Sequence, residues 1–229
     1  MDDLKCKTIQ SINCQVNWGD WNHYNRPLDQ RPIHAKILRW LRKMDPGKLL
    51  EVGACNDFLL KECQNMGWDV VGLDLSQSSS PLIIQHDASE PFPFPAMFDC
   101  VVALEVVEHL VDTDGFLQNI ASVLKPGGML IISTPNLLFW VNRILMLVGR
   151  KPKICYEDFH VRMFVWKDFN QRLVKHFDIL KVVGSHVLVG PWYAKWAKIF
   201  SSIGDYLPGI SAHFIVLAQK PFGENNGHL

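Results

Sequence analysis

Two carboxylates stand where apolar runs end. Glu51 sits near the close of Lys48–Gly53, and Asp74 near the close of Trp68–Leu75. Short apolar runs of this kind are buried strands of a parallel sheet. After Glu51 comes the small-residue loop Gly53-Ala54-Cys55-Asn56-Asp57, and then a helix pattern. Gly53 can take a positive φ and lets backbone approach a ligand closely. The free N–H groups at the start of the helix would face the same place. Asp74 follows the glycine by about 20 residues, the spacing that sets a carboxylate over the ribose hydroxyls of an adenosine ligand. A carboxylate can accept from both hydroxyls of a vicinal diol.

The elements that must carry these residues alternate. A helix is expected over Ile33–Met44, stopped by Asp45-Pro46-Gly47, then a strand at Lys48–Gly53. Asp57–Gly67 reads as a helix with Asp57 as its N-cap, and Trp68–Leu75 as the second strand. Further strands are expected at Ile83–His86, Phe98–Leu104, Met129–Ser133, Ile179–Val183 and Phe214–Ala218. Helices are expected at Gly115–Leu124, Leu137–Val148 and Phe164–His176, with Lys125-Pro126-Gly127-Gly128 as a turn. Strands alternating with helices predict an α/β fold: a Rossmann-like, seven-stranded, mostly parallel sheet flanked by helices, its last strand antiparallel. The expected organisation is one domain, with a cap or helical extension over 1–45, a cofactor-binding half over 46–135 and a substrate-side half over 136–229.

The 229 residues suffice for one well-buried core. Lys and Arg number 23, as do Asp and Glu, so no general field favours a polyanion and nucleic acid is not an expected partner. The six cysteines (Cys6, Cys14, Cys55, Cys63, Cys100, Cys155) form no C-x-x-C pair. They read as free thiols in a reducing compartment. With no secretory pattern at the start and no apolar run long enough to span a bilayer, the expected location is the cytoplasm.

The ordered set Glu51–Asp57, Gly72-Leu73-Asp74, His86-Asp87-Ala88, Phe98–Val102, Glu105-Val106-Val107-Glu108-His109-Leu110, Leu124–Gly128 and Ser133-Thr134-Pro135-Asn136 resembles successive motifs of class I methyltransferases dependent on S-adenosylmethionine. The nearest resemblance is to the small-molecule branch that holds ubiquinone-type O-methyltransferases, and His160-Val161-Arg162-Met163-Phe164 is similar to a step of that branch. The resemblance implies S-adenosyl-L-methionine as cofactor. It places Gly53 and Ala54 beside the methionine part, with Glu51 orienting the loop. Asp74 would hold the ribose, Leu75 would lie on the adenine, and Asp87 would take the adenine amino group with Ala88 beside it. Leu104 and Glu105 would floor the methyl site. The loop departs from the family pattern, since Cys55 and Asp57 stand where glycines are usual. The alternative function is therefore a catalytically impaired cofactor-binding or regulatory module of the same fold.

Transfer to a hydroxyl calls for alignment of the acceptor and often a general base. His109, just past the fourth strand, is the first candidate, and His160 the second. Glu105, Glu108 and His109 would share one face of a helix. They read as a solvated patch with no metal, and the alternative that the resemblance implies is a divalent metal held by these acidic residues and His. Cys55 reads as packing, not as a nucleophile. Acceptor choice falls to Trp18–Arg31 with His23 and Tyr24, to Leu137–Val148, and to Val187–Ile203 with Trp192 and Trp196. The apolar segments suit a core, a homodimer surface or a lid. With Arg143, Arg150, Lys151 and Lys153 nearby, they also suit a membrane surface carrying a lipid-linked acceptor. The expected reaction is O-methylation of a small molecule or of a glycan or lipid-linked intermediate.

Overall fold

The computed structural model describes residues 32–156, 160–187 and 203–223. Its sheet has seven strands: β1 Lys48–Val52, β2 Asp69–Asp74, β3 Ile83–Gln85, β4 Phe98–Leu104, β5 Leu124–Pro135, β6 Asp178–Ser185 and β7 His213–Gln219. Their order is β3-β2-β1-β4-β5-β7-β6. Strands β1 to β5 pair in parallel, and β7 runs antiparallel to both β5 and β6. The order reverses between β1 and β4. In open α/β sheets that reversal opens the crevice in which ligands bind, at the carboxyl ends of the strands.

Strand side chains alternate between faces, and each face has its own core. On one face α1 (Pro32–Leu41) and α2 (Phe58–Asn65) pack Ile37, Leu41, Leu60 and Cys63 with Leu49, Val102, Ile131 and Ile215. On the other, α3 (Thr113–Val123) and α5 (Trp166–Leu173) pack Phe116, Ile120 and Phe169 with Leu50, Val101, Leu130 and Val216. Between β5 and α5 lies α4 (Trp140–Leu147). Among the described residues, no helix is long and apolar enough to cross a membrane.

Lys125–Gly128 loops out within β5 as the expected turn: β5 pairs with β4 at Leu124 and again from Met129, the four residues between stand opposite Asp99 alone, Gly127 has φ +77°, and the Gly128 carbonyl takes the Lys220 N–H at 2.8 Å. Other local expectations are corrected. Asp57 occupies the N-cap position of α2 without a side-chain cap bond. Its carboxylate meets Lys61 at 3.0 Å instead, while Asn56 Oδ1 accepts the Phe58 N–H at 3.1 Å. Phe164 is not helical; it bridges to Asn136, and α5 starts two residues later. Trp18–Arg31 and residues 188–202, with Trp192 and Trp196, lie outside the described residues, as do Cys6 and Cys14.

Candidate active site

The carboxyl ends of β1, β2 and β4 bring Glu51, Gly53, Asp74 and Glu105 to one edge of the sheet. Glu51 is buried, and its Oε2 has no protein partner. Burial, and then the charge of Asp74, raise its carboxyl well above the ordinary range. Gly53 has φ +76°, and a Cβ there would stand 2.4 Å from Val106 Cγ2. Gly53 and Ala54 both donate to the Leu73 carbonyl, at 2.8 and 3.0 Å, which ties the loop to β2.

Asp74 receives the Cys55 N–H on Oδ2 and the Ser76 N–H on Oδ1, each at 2.8 Å. Cys55 holds φ +46° without glycine's freedom, a cost of about 1–2 kcal/mol that this bond helps to offset. Burial, and next Asp74, push the Cys55 thiol up to about 11, which disfavours the thiolate; the residue is exposed at the loop and is not the packing residue expected. Leu75 is half-buried, and its carbonyl accepts from Gln85 at 3.1 Å. Asp87 accepts from the Ser89 N–H and hydroxyl at 2.8 and 2.7 Å, and Ala88 packs against the core. Asp57 points to Ser80 and Lys61. The Ser80 hydrogen bond first, then Lys61, hold its carboxyl below the usual range.

Beyond β4 the expected helix face does not form. Glu105 takes φ +53°, and only Val107–His109 make a 3-10 turn. Glu108 is fully buried, not solvated. Thr134 Oγ1 donates to its Oε2 at 3.2 Å, and its backbone carbonyl takes the Val161 and Arg162 N–H groups at 3.0 and 2.9 Å. That pairing brings His160 over His109, with ring centroids 4.9 Å apart. His160 Nδ1 lies 3.2 Å from the Ile154 carbonyl. Glu108, His109 and His160 each bring a ligand atom within 4.8 Å of the others, an arrangement chemically able to take a divalent cation.

Three further residues reach this edge from the far strands. Ser133 Oγ on β5 donates to Glu105 Oε1 at 2.5 Å. His213, the first residue of β7, places Nε2 3.3 Å from Glu105 Oε2. Ser185 and His213 are register partners at the end of β6. Nothing in the spacing links His213 to a residue so far back in the chain. Only the antiparallel return of β7 makes them neighbours.

Residues 22–178 match the family model for a methyltransferase domain. The chain belongs to that family. Its relatives include the ubiquinone biosynthesis O-methyltransferase of Bradyrhizobium diazoefficiens, 34% identical over 114 residues, covering 44% of this chain and 45% of the relative. The human mitochondrial ubiquinone biosynthesis O-methyltransferase is 31% identical over 127 residues, covering 45% of this chain and 34% of the relative. This chain thus spans about half the length, or less, of these two curated relatives. In fold it is similar to the 1,6-didemethyltoxoflavin-N1-methyltransferase of Burkholderia thailandensis, solved with S-adenosylhomocysteine. The TM-score is 0.62 at 15% identity, with 96% of this chain and 90% of that one covered. The N-methyltransferase NodS of Bradyrhizobium japonicum gives a TM-score of 0.59 at 14% identity, covering 93% and 98%. S-adenosylmethionine is the cofactor that goes with the family. The residues fit it: Gly53 leaves room that a Cβ would fill, and Glu51 Oε2 is a buried polar atom lacking a protein partner.

Proposed function

We propose that the chain transfers a methyl group from S-adenosylmethionine to a hydroxyl oxygen of a small molecule or of a lipid- or glycan-linked intermediate. The observation that carries this reading is the clamp at Asp74. Its carboxylate fixes the loop after β1 while standing at the end of β2, where an adenosine ribose is held in folds of this topology. Gly53, Ala54 and Glu51 would hold the methionine part, Leu75, Asp87 and Ala88 the adenine, and Leu104 with Glu105 the methyl end. The cofactor supplies a methyl group already activated by the sulfonium charge. The protein's share is then to align an acceptor and exclude water. The relatives named as O-methyltransferases support oxygen as the acceptor atom.

The lipid-linked option draws on α4. Ile144, Leu147 and Val148 are exposed there, next to exposed Arg143, Arg150 and Lys151, a pattern suited to an anionic interface. A homodimer surface is the competing use of this face, and a single molecular mass in solution decides for or against it. The function itself is tested by release of S-adenosylhomocysteine in a screen of phenols, catechols, sugars and lipid-linked phenols. Release with none of them removes the proposal.

A further inference from the structure

Glu105 is anchored from two other strands. Ser133 Oγ donates to Oε1 at 2.5 Å, and His213 Nε2 stands 3.3 Å from Oε2. The other ring nitrogen of His213, Nδ1, lies 3.4 Å from Ser185 Oγ. The same hydroxyl lies closer, at 2.9 Å, to His186 Nδ1; since an ionised carboxylate only accepts, the Nε2 contact to Glu105 is a hydrogen bond in the tautomer that carries the proton on Nε2. The imidazole is neutral in this setting: burial first, and then the charge of His160, push it down to about 4. Two neutral donors thus fix the direction of the carboxylate, and neither cancels its charge. A lysine or arginine in place of His213 would hold it as firmly and neutralise it. Glu105 also carries φ +53°, a left-handed backbone costing about 1–2 kcal/mol in a non-glycine residue. Strain of this kind persists where the surroundings enforce it, and it clusters at functional sites. The His109 and His160 rings lie 4.9 Å apart beside Glu108.

We propose that Glu105 is the catalytic carboxylate that accepts the proton of the acceptor's hydroxyl, and that His213 is the positioning residue that aims it. The inference rests on the methyl-transfer reading above. The hydroxyl proton passes to Glu105 as the oxygen's electron pair forms the bond to the methyl carbon. The carbon–sulfur pair stays on sulfur, leaving a neutral thioether, and Glu105 later returns the proton to water. About 24% of the His213 side chain and 31% of the Glu105 side chain remain exposed, enough for an acceptor to reach the pair.

The test uses 4-methylcatechol as probe acceptor with wild type, His213→Phe, His213→Gln and Glu105→Gln. Calorimetry reads S-adenosylhomocysteine affinity, and then probe affinity on the loaded protein; turnover is read separately. Cofactor affinity should stay within about twofold in both His213 variants. His213→Phe should weaken probe binding about tenfold and lower kcat further, while His213→Gln, which keeps an N–H donor, restores most of both. Glu105→Gln should bind the probe and lose turnover by about 100-fold. The inference is overturned alone if wild type is active and His213→Phe matches it, or if the phenylalanine and glutamine variants are equally impaired. A wild type that binds the cofactor and methylates no hydroxyl removes the methyl-transfer reading and this inference together.

Discussion

Asp74 Oδ2 accepts the Cys55 N–H at 2.8 Å, so the carboxylate that ends β2 also holds the loop that follows β1. In the proposed reading one side chain serves two purposes: it shapes the loop and it would offer lone pairs to a diol. Asp74→Ala removes both. We expect S-adenosylmethionine affinity to fall between about tenfold and 100-fold, the size of a hydrogen bond to a charged group. Asp74→Asn, which keeps one acceptor oxygen, should fall less. Calorimetry on both variants checks the order.

The two left-handed positions of the loop should respond in opposite ways. Gly53→Ala meets Val106 Cγ2 at 2.4 Å and strains a backbone at φ +76°, so it should destabilise the fold by about 1–3 kcal/mol and weaken cofactor binding. Cys55→Gly relieves φ +46° and should leave stability unchanged or raise it by up to about 1 kcal/mol. Urea unfolding curves read both. A stabilised Gly53→Ala would show that this loop conformation is wrong.

Glu51 gives a stability dependence on pH. Its ordinary carboxyl value is 4.5, and burial followed by Asp74 raises the folded value well above that. Between the two values the folded chain holds a proton that the unfolded chain has lost, so stability falls as pH rises through that window. Glu51→Gln, neutral and nearly isosteric, should flatten this part of the curve and raise Tm near neutral pH without cofactor. A Tm-against-pH curve identical to wild type contradicts the assignment.

His213 acts in the opposite sense. Its ordinary value is 6.5, and burial with His160 lowers it to about 4 in the folded chain. Over that interval the unfolded state binds the proton and the folded state does not, so stability drops as pH falls from about 6.5 towards 4. His213→Gln should lose that slope while keeping the contact to Glu105. The same thermal series measures it.

Much of this site was legible in the residues because strand ends are written locally. Apolar runs closing in Glu51, Asp74 and Leu104 fix which side chains reach the carboxyl edge, and the sheet order then puts those ends at the reversal between β1 and β4. What stayed hidden depends on contacts distant in sequence. Glu105, Glu108 and His109 have the spacing of a helix face, yet the left-handed turn at Glu105 sends it to Ser133 and His213 while Glu108 is buried beneath Thr134. The Asp57 side chain, expected as a helix cap, is instead drawn to Ser80 and Lys61. Turn chemistry, by contrast, was legible at Lys125–Gly128, where Gly127 takes φ +77° and the chain loops out between two stretches paired with β4.

The central claim is that this edge of the sheet holds S-adenosylmethionine. Thermal shift with S-adenosylmethionine and with NAD, followed by calorimetry on wild type and Asp74→Ala, tests it most directly. The account predicts that S-adenosylmethionine raises Tm more than NAD does, and that the gain largely disappears in Asp74→Ala. No shift with S-adenosylmethionine, a larger one with NAD, or an Asp74→Ala variant that binds as wild type does would contradict it.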